Sequence, residues 1–362
     1  MHPFPLLYNS DTNNMFHDKG VLTDEVLHSF VDEVADSQVT VFLLCQGGQT
    51  VFYRSEVTDY WGEQHGPSVR ATWPEQVQLG VGNLERYLQR GVEPFDLLVE
   101  RIRKRGMEAW LTFRMNEAHV LPVNYPHVSS FWTAHPEWRL NSADPEALVE
   151  DYGPEGVRSR ALNYAIPEVR ERRMAEIVEA VKRFGFDGLE LDFTRWPVYF
   201  KPDEISANIP TMNAFMKELR RRLDDIAGAR AQPLKVGVRV NSTLERCHGV
   251  GLDPIAWHAD RPLDYIAPAT FFRGQDLHIP GPAPIDVAGF REALPEAPVY
   301  AYVGIPAKAE SAEDWAASYR RETQRALASG AAGIGLFNFF TCRHLPKKFE
   351  PPFALLNDIL DR

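Results

Sequence analysis

The sequence is short of cysteine, of positive charge and of long apolar runs, and each shortage excludes a class of protein. Its three cysteines, Cys45, Cys247 and Cys342, have neither metal-ligand spacing nor the pattern of a disulfide framework. They read as buried free thiols in a reducing compartment. Acidic residues outnumber basic ones, 50 against 39, for a formal charge of −11. That field repels nucleic acid and anionic membrane, and no nucleic-acid motif or Lys/Arg run offsets it. No apolar stretch approaches membrane-spanning length. The opening Met1-His2-Pro3-Phe4-Pro5 lacks a basic segment followed by an apolar one, so no secretory leader is expected and the expected location is cytoplasmic. The segment Asn9-Ser10-Asp11-Thr12-Asn13-Asn14 has no dinucleotide-binding glycines. No His-x-x-x-His spacing supports a metal centre, and neither metal nor cofactor is expected.

What is present is an alternation. With 44% apolar and 25% charged residues the 362-residue chain is globular in composition, and one barrel with long loops accounts for its length. Short apolar runs predict strands at Phe4–Asn9, Val39–Cys45, Glu108–Phe113, Gly188–Phe193, Lys235–Val240, Tyr265–Ala269, Val299–Val303 and Gly333–Phe337. Amphipathic segments between them predict helices at Thr23–Ala35, Pro94–Arg105, Pro167–Phe184, Met212–Ile226, a short one from Asp253, Val287–Leu294 and Ala312–Ala328, with Phe353–Leu360 closing the ring. Eight strands in strict alternation with helices predict a single α/β domain, a (β/α)₈ TIM barrel over residues 1–362, with long loops after strands two, three and four. An open doubly wound sheet is the weaker alternative, having fewer units and a glycine-rich first turn.

Residues two apart on a strand share a face. Leu189 and Leu191 therefore face the helices and send Glu190 and Asp192 into the barrel. The same parity turns Arg239 and Asn241 inward on strand five, and Arg114 and Asn116 on strand three. Strand seven offers Tyr300 and Tyr302, and strand eight Asn338. Unpaired buried charge is strongly unfavourable, so these groups must be paired or functional. At the C-terminal rim of a barrel function carries more weight. Asp192 is the leading catalytic candidate, its structural alternative being a partner of Arg239 or Arg195. Glu190, one layer deeper, reads as a buried partner of Arg114 or Arg239. Glu117, Glu245 and His119 are candidates for the second acid or its helper. Asp11 and Asn13 are candidate hydroxyl binders, and Asp253 is expected to cap a helix.

The stretch Phe186-Asp187-Gly188-Leu189-Glu190-Leu191-Asp192-Phe193-Thr194-Arg195-Trp196-Pro197 resembles strand four of bacterial proteins grouped as family-10-like glycosyl hydrolases. His135-Pro136-Glu137-Trp138 and Leu162-Asn163, ahead of Pro167-Glu168-Val169-Arg170, resemble the same group. The resemblance covers about the central third of the chain, and it implies a (β/α)₈ fold, a carbohydrate ligand and a catalytic aspartate at Asp192. The stretch is also similar to the strand-four signature of family-18 chitinases. Thr194 stands where their catalytic glutamate belongs, and Glu190 replaces one of their aspartates, so the chitinase mechanism is not expected.

The expected function is hydrolysis of a glycoside or small oligosaccharide by two carboxylates. Asp192 is nucleophile or base, and Glu245 or Glu117 is the acid. Trp61, Trp73, Trp132, Trp138 and Trp196 are candidate sugar platforms. Arg114, Arg195 and Arg239 converging on Asp192 predict a surplus guanidinium, suited to a uronic carboxylate or a sulfate. Two other readings compete. One is a carbohydrate-binding barrel without hydrolysis. The other is a metal-dependent isomerase or lyase using His17, His119 or Asp11.

Overall fold

The computed structural model describes residues 4–119, 121–149, 151–270, 284–306 and 309–361. Eight parallel strands run through it: β1 (Leu6–Ser10), β2 (Val39–Cys45), β3 (Glu108–Arg114), β4 (Gly188–Asp192), β5 (Lys235–Asn241), β6 (Tyr265–Ala269), β7 (Tyr300–Val303) and β8 (Gly333–Phe337). Their hydrogen-bonded order is β6-β5-β4-β3-β2-β1-β8-β7. The bridge between Ile266 and Val299 joins β6 to β7 and completes the ring. This is the (β/α)₈ barrel, and it has no free sheet edge to protect.

The surrounding helices are α1 (Asp24–Asp32), α2 (Glu75–Gln89), α3 (Pro94–Lys104), α4 (Pro167–Phe184), α5 (Ile205–Arg230), α6 (Pro254–Asp260), α7 (Val287–Ala293) and α8 (Ala312–Ala328). Local chemistry sets several ends. Thr23 and Ser311 accept the first free amides of α1 and α8 through their hydroxyls, Asp253 does so for α6, and Pro opens α3, α4 and α6. Three expectations fail. The segment after β2 is not all loop: α2 buries Val81, Leu84, Tyr87 and Leu88 against the barrel. Its Gly80, Gly82 and polar positions dilute the periodic signal. The helix before β5 starts at Ile205 rather than Met212, because Pro210 sits inside α5 instead of ending it. The closing segment is a 3₁₀ turn, Phe353–Asn357.

The barrel interior is filled by size complementarity between neighbouring strands. Trp110 lies level with Gly188, Tyr265 with Gly237, and Tyr302 with Gly335. A Cβ on Gly335 would stand 2.6 Å from the Tyr302 ring, and one on Gly188 or Gly237 would collide with its aromatic neighbour. The aromatic floor formed this way leaves the next layers to polar groups. Leu189 and Leu191 are buried in the separate outer core beneath the helices, as strand parity requires.

Candidate active site

Strand register puts three charged residues abreast at the C-terminal end of the barrel. Arg114 on β3 pairs with Asp192 on β4, which pairs with Arg239 on β5. Asp192 is 1% exposed. Its Oδ2 accepts from Arg239 Nη1 at 3.1 Å. Its Oδ1 accepts from the Thr194 amide at 2.9 Å, the Thr194 hydroxyl at 2.8 Å and the Arg195 amide at 3.1 Å. The carboxylate is thus held at both ends, one oxygen by the turn that follows its own strand. The Arg239 guanidinium lies 4.6 Å from the Tyr302 ring centroid and 4.4 Å from that of Phe337, packing that fixes its angle.

Across the mouth, Asp11 follows β1 and Glu117 follows β3, and Arg114 bridges them with one ion pair to each. Glu117 is further bonded to His119 Nδ1. Arg195 Nη2 meets His119 Nε2 at 2.8 Å. A guanidinium can only donate, so Nε2 accepts and the imidazole proton sits on Nδ1, facing Glu117. Burial alone would raise the Glu117 carboxyl, but His119, Arg114 and Arg195 outweigh it and hold it far below the usual carboxylate range. Burial likewise opposes ionisation of Asp11, and Arg114, Arg195 and the Asn338 amide overcome it. Burial, partly offset by Glu117, pushes His119 down, favouring the neutral ring.

One layer below, Glu190 is fully buried. Its Oε1 accepts from Asn9 Nδ2 at 2.8 Å and Thr112 Oγ1 at 2.7 Å, and its Oε2 from Tyr265 at 2.8 Å and Tyr302 at 2.5 Å. Its hydrogen-bond partners are therefore hydroxyls and an amide rather than the expected arginine. Burial pushes its carboxyl upward, Arg239 opposing and Asp192 adding to the effect. Asn9, Thr112 and Tyr265 escaped the sequence reading. Asn9 ends the expected first strand, but nothing local marked it as a partner of Glu190.

Other expected residues are placed differently. The Asn116 amide ties loops together, donating to the carbonyls of Leu162 and Val198 at 2.9 and 2.6 Å. Glu245, on the short helix Leu244–His248 after β5, is exposed. Among the described residues its side chain joins no hydrogen bond or ion pair. Among the described residues the buried Oδ1 of Asn241 has no hydrogen-bond partner, a gap a ligand hydroxyl suits. Asn338 closes the rim between β8 and β1, accepting from the Asp11 amide at 3.0 Å. Asn13 is half-buried in the turn beyond it. Thr12, Trp196 and Asn338 hold left-handed backbone, φ 65°, 58° and 49°, each just past a strand end at the mouth. Such strain in non-glycine residues gathers at functional sites.

Of the candidate platforms, Trp61, Trp73 and Trp132 are core residues, their indole N–H groups bonded to His127 Nδ1, the Asn124 carbonyl and the Arg160 carbonyl. Trp138 stacks on His135 at 3.6 Å between centroids. Trp196 alone of the five meets the charged cluster, edge-on to His119 at 5.0 Å. Among the described residues no three His, Cys, Asp or Glu side chains are placed to hold a metal ion, so His17, His119 and Asp11 do not form a ligand set. No described helix is long and apolar enough to cross a membrane.

No protein-family model matches the chain, and no curated protein matches it. Several solved structures share its architecture. A maltogenic α-amylase from Thermotoga neapolitana superposes with TM-score 0.51 at 13% identity, over 98% of this chain and 75% of that one. A group IV chitinase from Ostrinia furnacalis gives 0.50 at 12%, over 99% and 100%. An endo-1,4-beta-mannanase from Rhizomucor miehei gives 0.50 at 11%, over 92% and 85%. At these identities the similarity establishes the barrel fold, which hosts many chemistries.

Proposed function

We propose that this protein is a glycoside hydrolase acting on a glycoside or small oligosaccharide at the C-terminal mouth of the barrel. One observation carries the reading: Asp192, at the tip of β4, is buried and held by Arg239 and the Thr194 turn, facing a mouth where Asp11 and Glu117 share Arg114. Glycosidic cleavage needs one carboxylate directed at the anomeric carbon or its water and one proton donor at the leaving oxygen. Asp192 takes the first role. Glu117, kept ionised by the cations around it, suits charge stabilisation better than proton donation. The donor role is assigned to Glu245, exposed on the short helix Leu244–His248 just past β5, whose carboxylate joins no ion pair among the described residues. Asn241 is the proposed sugar contact, through an amide oxygen that has no partner among the described residues; Trp196, buried like the other core tryptophans, backs the cluster from behind His119.

A preference for an acidic sugar is part of the proposal in a narrower form. Arg195 lies at the mouth with its amide on Asp192 and its Nη2 on His119 Nε2, where a forked guanidinium suits a uronic carboxylate or a sulfate. Equal turnover of neutral and uronic glycosides removes this refinement. The binding-only barrel is favoured by the ionised state of both Asp11 and Glu117. Purified protein assayed on a panel of aryl glycosides and oligosaccharides decides between the readings. Asp192→Asn is expected to lower kcat at least ~10³-fold with ligand affinity retained. Unchanged hydrolysis in that variant sinks the catalytic assignment, and absence of any turnover in the unaltered protein, with sugar binding intact, selects the binding barrel.

A further inference from the structure

Between α5 and α6 lies a cleft of about 250 Å³ that the proposed hydrolysis does not use. It reaches the outer faces of β4 and β5, where Leu191 and Val236 line it. Met216, Leu219 and Leu223 of α5 and Trp257 of α6 are its walls. Trp257 is fixed in place. Its indole N–H donates to Asn213 Oδ1 at 2.7 Å, tying α6 to α5, and its ring lies 5.0 Å from that of Phe193. The apolar wall is therefore preformed, as in most small-molecule sites. An apolar cavity of about 150 Å³ holds benzene, so this one has room for a ring or a short alkyl chain bearing a polar head.

The charged side chains lining the cleft decide what that head is. They are Lys217, Arg220, Arg261 and Asp260. Lys217 and Asp260 pair with each other at 2.7 Å. Arg220 and Arg261 share one carboxylate, Asp224, at 3.4 and 3.1 Å. The Arg220 share is the poorer one. Its Nε and Nη1 are buried, and neither has a hydrogen-bond acceptor among the described residues. Asp264, the other carboxylate whose charge reaches Arg220, accepts from the Val236 amide at 2.7 Å. Burial pushes the Arg220 guanidinium below its ordinary value, since Asp224 and Asp264 do not offset it and Arg261 adds to it. A largely buried cation short of acceptors is unfavourable. A carboxylate supplies both the charge and the acceptors, in the geometry a guanidinium prefers.

We infer that this cleft binds a small amphipathic carboxylate, its apolar body between α5 and α6 and its head on Arg220. The site goes beyond the hydrolase reading and does not rest on it. The test is calorimetric titration of the full-length protein with hexanoate and phenylpropanoate, each against its uncharged amide, and with acetate as a head lacking a body. At least one of the two acids is expected to bind at least ~10-fold tighter than its amide and than acetate. Arg220→Met, which keeps the apolar stem, is expected to bring that acid to the level of its amide and leave the amide unchanged. Ala214→Trp, at an exposed position of α5 on the cleft, fills the entrance and is expected to remove acid and amide alike. It also keeps the test decisive should Arg220→Met disturb folding. Failure of both acids to bind overturns the site, and so does equal affinity for acid and amide. A preference for the acid that survives Arg220→Met, or binding that survives Ala214→Trp, overturns it equally.

Discussion

Gly48 provides the sharpest test of how the mouth is built. A Cβ placed there would stand 2.5 Å from both Cγ and Oε2 of Glu117 and 2.8 Å from its Cδ. The Gly48 backbone lies outside the left-handed region, so alanine meets no conformational objection and the whole effect is steric. Glu117 has no room to yield, being fixed by Arg114 and His119. Overpacking of this kind costs ~1–3 kcal/mol. With an unfolding entropy of about 2.1 cal/mol/K per residue, a chain of this length loses a degree for roughly each 0.8 kcal/mol, so Gly48→Ala should lower Tm by about 1–4 °C. Thermal melts of a double-mutant cycle with Glu117→Ala isolate the contact. Glu117→Ala alone destabilises by removing a partner of Arg114, but the second substitution should then cost almost nothing, for a coupling of at least ~1 kcal/mol. Additivity within about 0.5 kcal/mol, or a Gly48→Ala melt matching the parent, refutes the account of Glu117 as a pinned carboxylate.

The remaining predictions concern charge. Glu190→Leu leaves Asn9, Thr112, Tyr265 and Tyr302 without their acceptor and should cost on the order of 3–5 kcal/mol in denaturant unfolding, while Glu190→Gln costs clearly less. Burial opposes ionisation of Asp18, but His17 and His344 bring its carboxyl from 3.8 down to about 2. A depressed carboxyl stabilises fully above its unfolded value and loses that contribution as pH falls toward 2, so Asp18→Asn should cost about 2 kcal/mol at pH 7 and progressively less below pH 4. A variant equally destabilised at pH 7 and pH 3 contradicts this. Glu245→Gln should cut turnover of substrates with poor leaving groups far more than of activated aryl glycosides, since only the former need a proton. Equal losses on both move the donor elsewhere.

Strand parity is a local property, and it was legible. Alternation within Gly188–Asp192 aimed Glu190 and Asp192 inward, and both stand there in the barrel, because a side chain's face depends only on its own backbone. The eight-fold alternation of strands and helices was equally legible, since each element advertises its buried face through its own period. The partners were not. Glu190 was expected to meet an arginine and instead meets two tyrosines, a threonine and Asn9, drawn from β1, β3, β6 and β7. Glycines opposite the aromatic rings make room for that arrangement, and a glycine's role as a neighbour's space shows only when strands are aligned.

The sequence by itself determined the barrel and the set of polar side chains directed into it, through periodicities of two and 3.6 that each segment carries alone. The tertiary structure decided which of those side chains stand abreast, that Glu117 is enclosed by cations while Glu245 is exposed, and that a helix rather than a loop fills much of the segment after β2. Register and loop path are fixed by closing a ring of eight strands, a constraint that no single segment contains.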